Sequence, residues 1–153
     1  LNEIYPALRR NEYRIEYNVR NFNLEEARRM VDERPDLLSL SEMYKVAASY
    51  GKGTPEYDKV MAVAVRYFPS SSAALHENAV NAISREEYAV AAELLEKAEV
   101  TARTATLLNT LGVAYAKAGE YSKAEDAFRR AAEAGSETAR HNLEEVRQVI
   151  DQQ

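Results

Sequence analysis

Apolar and polar positions change their period once along this chain, near residue 22. From Tyr13 to Phe22, Tyr13, Ile15, Tyr17 and Val19 alternate with Arg14, Glu16, Asn18 and Arg20. That period of two predicts a half-buried β-strand. A lone strand needs a partner for its backbone, so this edge is a candidate pairing surface, through which two copies of the chain could form a homodimer. Beyond it the spacing is helical. Asn23 caps a helix over about 24–33 that stops before Pro35. Ser39 and Glu42 form a capping box for a helix over about 40–50, with Met43, Val46, Ala47 and Tyr50 on one face. Gly51-Lys52-Gly53 is a turn, and Thr54 caps a helix with Pro55 in its first turn, running to about Phe68. A last helix, over 137–151, gathers Ala139, Leu143, Val146 and Ile150 on one stripe and is otherwise polar, as a terminal capping helix should be.

The stretch from Ala105 to Ser136 reads as two short helices joined at Gly119. Leu108, Leu111, Gly112 and Tyr115 mark the first, and Ala124, Phe128 and Ala131 the second. A Gly inside a helix costs about 1 kcal/mol against Ala, so Gly112 calls for close helix approach. Ser122 and Glu125 have the spacing of a capping box, and Glu125–Arg129 and Asp126–Arg130 that of i,i+4 ion pairs. Shifted back by 33 residues, Leu75, Ala79, Ala91, Leu95 and Ala98 fall on Leu108, Gly112, Ala124, Phe128 and Ala131, with Asn78 and Ala82 in place of Leu111 and Tyr115. Met43 to Tyr67 give a third, looser copy.

These positions resemble the tetratricopeptide (TPR) repeat, whose period is about 34 residues. Ser136 stands where the family usually has Pro, which would weaken the exit turn. The resemblance implies an all-α fold of antiparallel helical hairpins in a right-handed superhelix, to which the pattern adds one N-terminal β-strand. The division is then 1–22, a strand segment and possible tail of an upstream domain, and 23–153, a helical repeat domain with repeats at about 40–70, 73–104 and 105–136 and a capping helix at 137–151. It also implies a concave face that holds a protein or peptide. Here that face would include His76, Val80 and Ile83 from one repeat and Asn109, Val113 and Lys117 from the next. Some TPR modules grip a peptide carboxylate with Lys, Arg and Asn; only Asn109 and Lys117 could contribute, so that clamp is not expected.

Composition narrows the choices. The net charge of −5 over 153 residues argues against nucleic acid or an anionic membrane as partner. There is no Cys, hence no disulfide or thiolate site. No apolar run approaches the roughly 20 residues of a membrane helix, so no direct membrane insertion is expected. A start at Leu1 suggests a processed chain or a piece of a longer one. His76 and His141 are the only histidines, they form no i,i+4 pair with each other, and neither has a Cys companion. Gly51-Lys52-Gly53-Thr54 lacks the upstream Gly of a phosphate loop. No Ser-His-acid arrangement stands out. The expectation is a non-enzyme without metal or cofactor. The tyrosines Tyr50, Tyr67, Tyr88, Tyr115 and Tyr121 recur at repeat packing positions.

The stretches YPALRRNEYRIEYNVRNF, EEAR and RPDLLSLSEMY, between Tyr5 and Tyr44, resemble a junction in cell-envelope proteins of Bacteroides-type bacteria, where an OmpA-like region precedes helical repeats. That resemblance implies a scaffold arm on the periplasmic side of the outer membrane. The alternative is a cytoplasmic TPR adaptor binding a peptide in its groove.

Overall fold

The structure is a computed structural model and describes residues 22–152. Their regular elements are α1 (Leu24–Glu33), a 3-10 turn (Pro35–Leu37), α2 (Leu40–Tyr50), α3 (Pro55–Tyr67), α4 (Ser72–Ser84), α5 (Tyr88–Thr101), α6 (Ala105–Lys117), α7 (Tyr121–Glu133) and α8 (Glu137–Asp151). Most helices start where a side chain can take a free N–H. Asn23 Oδ1 accepts from the Glu26 N–H at 2.8 Å. Ser39 and Glu42 form the full reciprocal box, and Thr54 accepts from the Tyr57 N–H at 3.2 Å. Ser136 accepts from the Ala139 N–H at 3.1 Å. The Pro-to-Ser departure therefore gives α8 its N-cap rather than a weak turn.

Helices α5 and α7 begin differently. Each follows a left-handed residue that closes the preceding helix. At the end of α6, Gly119 (φ 81°) takes that conformation. Its N–H donates to Ala116 O at 3.1 Å, and the Glu120 N–H donates to Tyr115 O at 2.9 Å. This turn starts α7 at Tyr121, with Glu120 as N-cap and no side-chain cap bond. Ser122 lies inside the helix, so the expected Ser122–Glu125 box does not form. The expected Glu125–Arg129 pair is replaced as well. Arg129 pairs with Asp126 and, at 3.1 Å, with Glu133, while Glu125 reaches Arg147 of α8 at 2.7 Å.

The same two hydrogen bonds close α4, from Glu86 to Ile83 O at 3.0 Å and from Glu87 to Ala82 O at 2.9 Å. There the left-handed residue is Glu86 (φ 62°), not Gly. Left-handed backbone costs a side-chain-bearing residue roughly 1–2 kcal/mol, partly offset by the greater freedom of Gly in the unfolded chain. Glu86→Gly should therefore stabilise the protein by about 0.5–1 kcal/mol, read as a raised urea midpoint at constant slope.

The expected fold class needs one correction. Among the described residues every regular element is helical and there is no strand. Of the strand expected over 13–22, including Tyr13, Ile15, Tyr17 and Val19, residues 13–21 lie outside the described residues. Phe22 is described and is not in a strand. Its N–H donates to the Glu42 carboxylate at 3.2 Å, and its ring packs on the first core cluster. A side chain on α2 thus takes the hydrogen bond that a neighbouring strand would have taken.

The apolar stripes make two clusters. One joins Ala27, Val31 and Leu38 to Met43, Val46, Ala47, Tyr57, Val60, Met61 and Ala64. The other runs from Leu75 to Val146 through α4 to α8. Small residues sit where backbones approach, with Ala79, Ala91 and Ala124 fully buried. A Cβ built on Gly112 would stand 2.5 Å from the Phe128 ring. Asn78, at the position Leu111 fills one repeat later, donates to Met61 O of α3 and to Ala74 O, both at 3.0 Å. This polar tie spans α3 and α4. Tyr115 is buried and donates to Glu96, whereas Tyr67, expected to pack, is 41% exposed.

Candidate functional site

Consecutive helices pack as neighbours, and α4 also touches α6, as α6 touches α8. One side of α4, α6 and α8 therefore forms a continuous inner face, and a cavity shared by α2 and α4 extends it to α2. Three cavities open along it. The first, of about 410 Å³, lies between α2, α3 and α4 and is lined by Tyr44, Ala48, Lys52, Tyr57, Ala73, His76 and Glu77. The second, of about 220 Å³, lies between the first turns of α4 and α6, beside Ser72, Ala73, His76, Thr104, Thr106 and Leu107. The third, of about 290 Å³, lies between α6, α7 and α8 and is lined mainly by Val113, Ala116, Lys117, Tyr121, Asn142, Glu145 and Val149.

The candidate residues read from the sequence divide among these places. His76 lies between the first two cavities, and Val113 and Lys117 line the third. Asn109 Oδ1 instead accepts from Asn142 Nδ2 at 3.0 Å, tying α6 to α8. Val80 is half-buried, and Ile83 packs against the second core cluster; neither is among the residues lining these three cavities. Sequence reasoning missed Tyr44, Lys52, Tyr57 and Glu77. Only Tyr44 left a signal, standing at the position of His76 one repeat earlier, as Asn142 stands at that of Asn109 one repeat later.

The first cavity carries two tyrosines and an ion pair. Lys52 Nζ lies 3.1 Å from Glu77 Oε2 at its exposed rim. Burial, with the Glu77 carboxylate nearby, pushes the Tyr44 phenol above its ordinary pKa. Burial also raises Tyr57, against the opposing pull of Lys52. Both phenols are therefore neutral near pH 7. The Tyr44 hydroxyl is buried without a hydrogen-bond partner, and the Asn81 side chain hydrogen-bonds to the Tyr57 hydroxyl.

His76 Nε2 lies 3.0 Å from Thr110 Oγ1. The Thr110 hydroxyl already donates to Thr106 O at 2.9 Å. His76 therefore donates through Nε2–H, and its Nδ1 is the acceptor in the neutral ring. Burial holds its pKa below the ordinary value, Glu77 opposing and Lys52 assisting. A depressed histidine destabilises the fold as it is forced to charge. Its neutral-state contribution is complete above the unfolded value of about 6.5 and is lost as pH falls from there through the folded value. Urea midpoints should drop over that window, and His76→Gln should flatten that part of the profile.

Among the described residues no group of three or more His, Asp or Glu could hold a metal. No helix among them is long and apolar enough to cross a membrane.

The family model for the tetratricopeptide repeat matches residues 105–135. No curated protein matches the chain in sequence. Among solved structures, a crystal structure of MamA superposes with a TM-score of 0.73 at 16% identity, over 84% of this chain and 77% of that one. The Sgt2 TPR domain from Aspergillus fumigatus gives 0.62 at 22% identity, over 72% and 76%. The Arabidopsis OM64 TPR domain gives 0.61 at 17% identity, over 82% and 98%. The chain thus carries a tetratricopeptide repeat at 105–135 and has the all-helical fold of TPR proteins.

Proposed function

We propose that this chain is a non-catalytic interaction or scaffold module that holds a protein or peptide segment along the inner face of α2, α4, α6 and α8. The observation that carries the reading is the row of three cavities along that one face. Their linings mix apolar surface with few charges, which suits a polypeptide better than a phosphate or nucleic acid.

Peptides selected by display against the full chain supply the test. Ala48→Arg in the first cavity and Val149→Arg in the third should each weaken binding by about tenfold or more, as filling an anchor pocket does. Val100→Arg, on a residue 84% exposed and outside the three cavities, should leave it unchanged. Equal affinities across all three variants would contradict the reading.

We further place the module on the periplasmic side of a bacterial outer membrane, as an arm of a larger envelope protein. This part rests on the resemblance of the Tyr5 to Tyr44 stretch alone. Fractionation of the source cells tests it. Recovery with the outer-membrane fraction supports it, and recovery in the cytoplasm replaces it with the adaptor reading.

A further inference from the structure

We propose that the segment held on the inner face is extended and carries two bulky, uncharged apolar side chains about six residues apart. One is seated in the cavity between α2 and α4, the other in the cavity between α6 and α8. The inference rests on the groove reading above and specifies what the groove recognises.

The two cavities are built alike. Counted from the first residues of their helices, Leu40 of α2 and Ala105 of α6, Ala48 and Val113 are both ninth, and Lys52 and Lys117 both thirteenth. Ala48 and Lys52 line one cavity, Val113 and Lys117 the other. A tyrosine from the first turn of the next helix, Tyr57 of α3 or Tyr121 of α7, adds a wall to each. The sixth residue of the helix beyond, Glu77 of α4 or Asn142 of α8, also lines it. The same arrangement thus recurs two repeats later.

Charge and size define the guest. Each lining holds one Lys and one Glu, Lys52 with Glu77 and Lys117 with Glu145, so neither cavity offers net charge to an acid or a base. Tyrosine rings, small aliphatic side chains and lysine stems supply apolar contact. An uncharged apolar side chain matches both. Ala48 stands where the other cavity has Val113, and its cavity is the roomier, at about 410 against 290 Å³. An aromatic ring belongs there, and an aliphatic side chain in the second.

The spacing follows from the stack. The cavities lie two helix-to-helix steps apart, about 16–20 Å at the usual interaxial distance of 8–10 Å. An extended chain rising about 3.1–3.4 Å per residue covers that in five or six residues. Six also keeps both side chains on one face, in a β-strand and in a polyproline II segment alike.

The probe is a peptide selected by display against the full chain and taken through an alanine scan. Two apolar positions about six residues apart should each lose about tenfold or more in affinity on replacement by Ala. One Gly inserted between them should cost as much as losing an anchor. Ala48→Val, at an exposed position of α2, narrows the first cavity. It should turn the preference at the first anchor from Phe towards Leu severalfold and leave the preference at the second unchanged. A single anchor overturns the two-anchor assignment and leaves the groove reading intact. So do anchors about eleven residues apart, as a helical guest would present them, or an Ala48→Val that alters neither preference or only the second. Failure of the groove reading shows separately, as display-selected peptides indifferent to Ala48→Arg and Val149→Arg.

Discussion

Phe128→Ala should cost about 3–5 kcal/mol, the range for emptying a buried aromatic site. The second core cluster closes around this ring, which is 3% exposed and faces Gly112 of α6. Gly112→Ala has the opposite problem. Its new Cβ would meet ring atoms of Phe128 at 2.5 Å, and the ring is enclosed by the core. Overpacking of this kind costs about 1–3 kcal/mol, set against a helix-propensity gain of about 1 kcal/mol. The two substitutions should therefore couple. In the native background Gly112→Ala destabilises. With Phe128→Ala in place the clash is gone and the propensity gain is left, so the same change should stabilise by up to about 1 kcal/mol. Urea unfolding of the four proteins in the cycle reads this directly. A Gly112→Ala effect that keeps its sign in both backgrounds would show that close approach is not what Gly112 provides.

Met61→Ala should cost about 2–5 kcal/mol, and the loss should be local. Met61 is fully buried in the first cluster, which spans α1 to α3, whereas α4 to α8 close around the second. In a stack whose elements touch mainly their neighbours, stability is close to a sum of unit and interface contributions. Native-state hydrogen exchange should therefore show the amides of α2 and α3 losing protection while those of α6 to α8 keep most of theirs. Uniform loss would mean that the ties across α3 and α4, including the bond from Asn78 to Met61 O, bind the whole chain into one cooperative unit.

The helix starts at Leu24, Leu40 and Pro55 were legible because a cap is local chemistry. Asn23, Ser39 and Thr54 each act within three residues of themselves. The same logic misled at Ser122, where the spacing of a capping box was present but the Gly119 turn had already fixed the helix start at Tyr121. Of the two ion pairs expected on α7, Asp126–Arg130 forms at 3.6 Å, and Glu125–Arg129 was misread because an i,i+4 spacing says nothing about Arg147 arriving from α8. The site followed the same division. Register placed His76, Val113 and Lys117 on the inner face, and each lines a cavity there. Register could not show that the Asn109 carbonyl is spent on Asn142. Nor could it show Tyr57 and Glu77, on different helices, meeting around Tyr44. Those depend on how far one helix sits from the next, which no periodicity encodes.

The central claim is that the partner lies on the inner face. Photo-crosslinking in extract of the source cells measures this most directly, with benzoylphenylalanine placed singly at Ala48 and Val149 inside, and at Val100 and Arg129 outside. The account predicts the same adduct from both inner positions, its loss on adding a display-selected peptide, and no such adduct from the outer ones. Adducts from Val100 or Arg129, with none from Ala48 and Val149, would contradict it.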